Sequence, residues 1–212
     1  GTVITLTAPR GSRLLFTRPV TTSDIYTAAP GVRARLVVSP DGSYRVTQKD
    51  HLAYTFSPSG TLTAVADTQG HTATLTYTGG KLAGIGSAAG HSLALIYDGQ
   101  DRLTHVADDL GRTITYTYDV TAGTLVTATG LAGATWSYAY DDTGRVVSVT
   151  SPLEDATLGH TYDMLGRVAS QQAVTKTTHF FYDTAETQIA TVVGGQRYTV
   201  THTYDYYGRG LI

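Results

Sequence analysis

The sequence predicts an all-β fold: an array of consecutive antiparallel β-hairpins forming a curved, twisted sheet. Three observations carry that expectation. An aromatic residue followed by a short turn recurs eight times at nearly constant spacing. The segments between alternate with period two, the mark of a strand with two unlike faces. The turns open on Asp and close on Gly, which suits a four-residue loop ending in the left-handed conformation of a G1 bulge.

The anchors stand at Phe56, Tyr77, Tyr97, Tyr118, Tyr140, Tyr162, Tyr182 and Tyr204, 20 to 22 residues apart. The full signature is Tyr-Asp-x-x-Gly-Arg. It is complete at Tyr140, Asp141, Gly144 and Arg145, at Tyr162, Asp163, Gly166 and Arg167, and at Tyr204, Asp205, Gly208 and Arg209. Partial copies carry Tyr97, Asp98 and Arg102, then Tyr118 and Asp119, then Tyr182 and Asp183. The copies at Phe56, Tyr77 and Tyr182 lack either the Asp or the Gly-Arg pair. Two positions before each anchor from Tyr77 onward stand Leu75, Leu95, Tyr116, Tyr138, His160, Phe180 and His202, a mostly large column on the anchor's face. Three positions before stand Thr74, Ala94, Thr115, Ser137, Gly159, His179 and Thr201, a mostly small and polar column on the other face. A second turn falls midway in several repeats, at Asp67 to His71, Ala88 to His91 and Asp108 to Arg112, so one repeat is two strands and two turns.

Residues 1–50 are less regular and read as a leading β section, with strands at Val3 to Thr7, Leu14 to Thr17, Arg33 to Val38 and Ser43 to Thr47. Residues 51–212 are the hairpin array. No linker separates the two, so the expectation is one continuous domain with an atypical start, as repeat arrays commonly have. Gly1 without a preceding methionine, and the stop at Ile212 just after a signature, are expected of a piece of a longer protein.

Composition narrows the function. Charged residues are 15% of the 212, against roughly 25% in an average domain. Fifteen Lys and Arg nearly balance seventeen Asp and Glu, leaving no basic stripe for nucleic acid. With no cysteine there is neither a disulfide framework nor a thiolate metal site. Nowhere do about 18 apolar residues run together as a membrane span needs.

No residue set reads as catalytic, metal-binding or cofactor-binding. The seven histidines include no pair at ligand spacing with a carboxylate cluster beside it. His71 and His91 hold the turn position that Arg112 holds in the next repeat; His160 and His202 read as satisfied packing residues of the anchor column. The aspartates are explained by the Asx-turn they open, and the arginines as pairing or stacking residues beside those turns. Thr78-Gly79-Gly80-Lys81 lacks the spacing and helix of a phosphate loop, and no Gly-x-Ser-x-Gly elbow occurs. The fifteen tyrosines and Trp136 offer either sugar platforms or a ladder in which anchors stack on neighbouring repeats. A binding aromatic should be exposed, and a ladder aromatic covered.

The signatures over 56–209, with Ser39-Pro40-Asp41-Gly42-Ser43-Tyr44 leading into them, resemble the Rhs and YD-repeat proteins. That family includes bacterial polymorphic toxins, shell components of insecticidal toxin complexes, and the animal teneurins. The resemblance implies a wall segment of a β-spiral cocoon, whose partners are the remaining repeats and the toxin cargo of the parent chain. It also implies a protein secreted or delivered by a bacterial secretion system. The alternative is a glycan- or receptor-binding module of a secreted or cell-surface protein. The family's self-cleavage motif has no match here. About sixteen strands at roughly 4.8 Å make about 75 Å of sheet, short of one cocoon turn, so self-association through exposed sheet edges is expected.

Overall fold

The computed structural model describes residues 2–7, 11, 13–18, 25–49, 52–153, 157–183, 186–204 and 210–211. Every regular element among them is a β-strand. The chain divides into two compact units, residues 1–97 with 106–112, and residues 98–105 with 113–212.

The first unit runs through β1 (Val3–Thr7), β2 (Arg13–Thr17), β3 (Ile25–Ala28), β4 (Ala34–Val38), β5 (Tyr44–Gln48), β6 (Ala53–Phe56), β7 (Leu62–Ala66), β8 (Thr72–Thr78), β9 (Lys81–Gly86) and β10 (Ser92–Tyr97). Each strand pairs antiparallel with the next. The leading strands expected from the sequence are present, and β3 is an addition. Its four residues are too few for period-two alternation to stand out.

This leading section holds the only apolar cluster of fully buried side chains among the described residues. Phe16, Tyr26, Leu36 and Val46, each no more than 6% exposed, pack with Ile4, Leu6 and Leu14 from the first hairpin. Tyr26 faces Leu36, and Leu36 faces Val46, across adjacent strands, so the cluster is a column of cross-strand pairs.

β11 (Leu103–Asp108) has residues in both units. The second unit continues through β12 (Thr113–Tyr118), β13 (Leu125–Thr129), β14 (Thr135–Tyr140), β15 (Val146–Thr150), β16 (Thr157–Tyr162), β17 (Val168–Ala173), β18 (Lys176–Tyr182), β19 (Glu186–Val193), β20 (Gln196–Tyr204) and β21 (Gly210–Leu211). Again each strand from β12 onward pairs antiparallel with the next.

The two faces of this unit differ as the alternation requires. On the face opposite the anchors, hydroxyls meet across strands: Thr117 and Thr127 at 2.6 Å, Thr129 and Thr135 at 2.9 Å, Thr150 and Thr157 at 3.1 Å, Thr161 and Ser170 at 2.7 Å. Side chains this small build no apolar layer. Outside the leading cluster, the buried hydrophobic residues described are only Ala53, Ala66 and Ala190. The chain accordingly exposes 14336 Å², where a compact protein of its mass would expose about 9500 Å². Cross-strand pairs and turn contacts must supply what a second layer would otherwise give.

Candidate functional site

The signature residues come together at the hairpin turns. In the turn after Tyr140, Asp141 accepts through Oδ1 from the backbone N–H of Thr143 and of Arg145, both at 3.0 Å, and from the Thr143 hydroxyl at 2.7 Å. Its Oδ2 accepts from Arg145 Nε at 2.8 Å. One carboxylate thus closes the turn and aims the arginine. Gly144, at φ +80°, takes the left-handed position that a β-branched residue resists. The anchor sits at the bulge, where the register shifts between Ala139 and Tyr140.

The arginine then reaches forward. The Arg145 guanidinium lies 4.6 Å from the ring centroid of Tyr162, the anchor of the next repeat. Tyr162 in turn donates its hydroxyl hydrogen bond back to the carbonyl of Val146, at 2.6 Å. Two repeats are clipped together by one cation on one ring and one hydroxyl on one carbonyl. Arg102, aimed by Asp98 at 2.8 Å, covers Tyr118 at 4.7 Å, and the Tyr118 hydroxyl meets the Leu103 carbonyl at 2.8 Å. Arg167, aimed by Asp163, covers Tyr182 at 4.4 Å, and the Tyr182 hydroxyl meets the Val168 carbonyl at 2.9 Å. Lys81 makes a looser version over Tyr97, at 5.5 Å, with the Tyr97 hydroxyl on the Leu82 carbonyl at 2.9 Å.

The electrostatics follow. The backbone N–H of Arg102, then the Arg102 side chain, hold the Asp98 carboxyl below the usual range, and the backbone and side chain of Arg167 do the same for Asp163. Asp141 is held well below it, first by the Thr143 hydroxyl and then by the Arg145 N–H. The Asp119 carboxyl is lowered by the N–H groups of Ala122 and Thr121.

Several expectations need amending. Anchor rings do not stack on one another: the one ring pair among the described residues is His179 with Phe181, at 6.3 Å, and cations cover four of the anchors instead. A guanidinium over a ring face suits the negative π-cloud better than a second ring face would. His71 does replace Arg112, bonding Asp67 through Nδ1 at 2.8 Å, but His91 reaches across to Asp109 at 2.9 Å. His160 is only half satisfied. One ring nitrogen faces Gln171 at 3.2 Å while the other, Nδ1, is buried without a hydrogen-bond partner. Asp205, Gly208 and Arg209 lie outside the described residues, as does the side chain of Tyr204.

The sequence reading missed the carbonyl acceptors of Leu82, Leu103, Val146 and Val168. A backbone atom carries no residue signature. The usable signal was the apolar residue that follows the basic one in each turn.

Among the described residues no three His, Cys, Asp or Glu are grouped to hold a metal ion, and no helix is long and apolar enough to cross a membrane. Fold and clips together define a structural repeat protein, a segment of β-hairpin shell. Residues 44–158 match the Teneurin YD-shell family, and the chain belongs to that family. Solved structures with the same fold are parts of toxin complexes. The crystal structure of TcdB2-TccC3-Cdc42 matches 99% of this chain with a TM-score of 0.66 at 14% identity. That of TcdB2-TccC3-TEV matches 96% with a TM-score of 0.62 at 16% identity. A Photorhabdus luminescens Tc holotoxin pore matches 98% with a TM-score of 0.58 at 17% identity. The chain spans 14% of the length of each of those chains. No curated protein sequence gives a significant match.

Proposed function

We propose that this chain is a wall segment of a shell that encloses a toxic C-terminal segment in a longer protein delivered outside the producing cell. The carrying observation is the clip itself. Arg102, Arg145 and Arg167 are each spent on joining one repeat to the next, which is what a wall requires and a catalyst does not. The signature residues are on this reading structural: Asp closes the turn, Gly permits it, and Arg and Tyr couple neighbours. Residues 1–50 act as the leading section, and residues 51–212 as the array. Self-association through sheet edges belongs to the same proposal.

A glycan-binding module would instead need open ring faces at the anchors. Tyr97, Tyr118, Tyr162 and Tyr182 each carry a cation over the ring.

The test is protease protection in the longer parent protein. The segment beyond the repeats should resist a protease that digests it once it is expressed alone. Equal digestion rates in the two settings would refute enclosure.

A further inference from the structure

Among the described residues of the second unit, one junction lacks its clip. After Tyr118 the turn is a residue longer, and Thr124 occupies the place of the basic residue: Asp119 N–H bonds the Thr124 carbonyl as Asp98 N–H bonds that of Arg102. Thr124 is too short to reach Tyr140, the next anchor. Three consequences are visible. Tyr140 has no cation over its ring and no hydrogen bond from its hydroxyl, unlike the anchors on either side. Asp119 uses Oδ1 on the N–H groups of Thr121 and Ala122, at 2.8 and 2.6 Å, and Oδ2 on nothing, whereas Oδ2 of Asp98, Asp141 and Asp163 each holds an arginine Nε. The turn glycines report the same gap. A Cβ at Gly123 would lie 3.7 Å from an Arg102 nitrogen, and one at Gly166 3.8 Å from an Arg145 nitrogen, but one at Gly144 would meet nothing within 4 Å.

The space is a cleft of about 540 Å³ bordered by Asp119, Thr124, Val126, Tyr138, Tyr140 and Gly144. We propose that this cleft is a receptor for an arginine side chain presented by another polypeptide segment. The chemistry is copied from the neighbouring junctions. There a planar guanidinium lies on the ring while its Nε donates to the carboxylate of the preceding turn, and in the first of them a second nitrogen donates to the carbonyl of Asp119 at 3.2 Å. At the cleft the ring is Tyr140, the free carboxylate oxygen is Oδ2 of Asp119, and the corresponding carbonyl is that of Asp141. An ammonium fits less well, because it offers no flat face to the ring and no fixed fork of donors. Lys81, standing off Tyr97 at 5.5 Å, shows that difference within this chain. The other anchor behind a threonine is Tyr77, preceded by Thr61. It forms no such receptor, because its preceding turn opens on Ser57, which bonds Ser59 and the Thr61 N–H and supplies no carboxylate.

The cleft is larger than a guanidinium alone, so the side chain's stem and adjoining backbone should contribute. The experiment is an NMR titration of the whole chain, read at the Ala122 and Val126 methyls. Gly-Arg-Gly is expected to produce saturable shifts, with Gly-Lys-Gly at least about fivefold weaker and ethylguanidinium also weaker. Thr124→Arg should abolish the Gly-Arg-Gly shifts by filling the cleft from within. Asp119→Asn, which retains the oxygen that closes the turn, should weaken binding at least about threefold through loss of the charge-assisted hydrogen bond. Equal affinity for the Lys tripeptide, unchanged binding in Thr124→Arg or Asp119→Asn, or absence of saturation would each overturn the receptor. Equal affinity for ethylguanidinium would overturn the peptide as its occupant.

Discussion

Removing Arg145 and Tyr162 singly and together should show that a cation on a ring couples adjacent repeats. The guanidinium stands 4.6 Å from the ring centroid, with the Arg145 side chain 37% exposed. An exposed cation–π contact contributes about 0.5 to 1 kcal/mol, and a desolvated one about 2 or more. A partly covered pair should therefore couple by about 1 kcal/mol. Arg145→Ala also removes the bond to Asp141 Oδ2, and Tyr162→Leu also removes the hydroxyl bond to Val146. A double-mutant cycle subtracts both of those losses and leaves the pair. Urea unfolding followed by the fluorescence of Trp136, the single tryptophan, reports from the preceding hairpin. The cycle Thr124→Ala with Tyr140→Leu is the matched control, and its coupling should be near zero. A coupling at Arg145 and Tyr162 below about 0.3 kcal/mol, the usual scatter for independent sites, would refute the clip as a source of inter-repeat stability.

Replacing Gly144 or Gly166 with Val should lower stability by more than about 1 kcal/mol, because both sit at positive φ, Gly144 with nothing near an added Cβ and Gly166 with only an ordinary contact to Arg145. A thermal midpoint shift of at least about 2 °C checks it. Tyr162→Phe should cost about 1 kcal/mol by deleting a hydroxyl bond, whereas Tyr140→Phe, with no such bond, should be nearly neutral in the same melts. The carboxyls of Asp98, Asp141 and Asp163 are lowered from 3.8 in the folded chain, so their contribution is complete above about pH 4 and is lost as pH falls through the depressed values. Acid unfolding monitored by circular dichroism should begin below pH 4, and Asp163→Asn should make the loss between pH 4 and 2 shallower; an unchanged profile would refute the role assigned to that carboxylate.

Much of the fold was legible because a hairpin repeat writes its turns and its alternation into local sequence. The bulges at Tyr118, Tyr140 and Tyr162 follow from Asp and Gly at the ends of their turns, and the two faces follow from the columns two and three residues before each anchor. β3 was missed because Ile25 to Ala28 is too short to alternate visibly, and its role depends on Tyr26 meeting Leu36 across the sheet. The direction of the clip was hidden for a different reason. Arg102 and Tyr118 are 16 residues apart in sequence, and only the folded chain decides that the guanidinium meets the following anchor and not its own. At the turn after Tyr118 the missing Arg was readable, but the cleft it leaves could be seen only once the occupied junctions on either side had shown where a guanidinium belongs.

A wall one sheet thick has a particular stability problem, and the clip addresses it. With small hydroxyl residues on one face, burial cannot hold successive hairpins in register, and a slip of one residue would turn every aromatic to the other side. The hydroxyl of each clipped tyrosine fixes that register, since it reaches a single carbonyl 14 to 16 residues back. The guanidinium adds a second tie from the turn, so each junction is held at the strand and at the loop. In an array whose stability is a sum over neighbours, strength is set locally, and the junctions lacking a clip are where the wall opens first. Among the described residues those junctions are the ones behind Thr61 and Thr124. Only the second retains a carboxylate oxygen free to receive a replacement cation, so an arginine supplied from outside can close that gap and not the other.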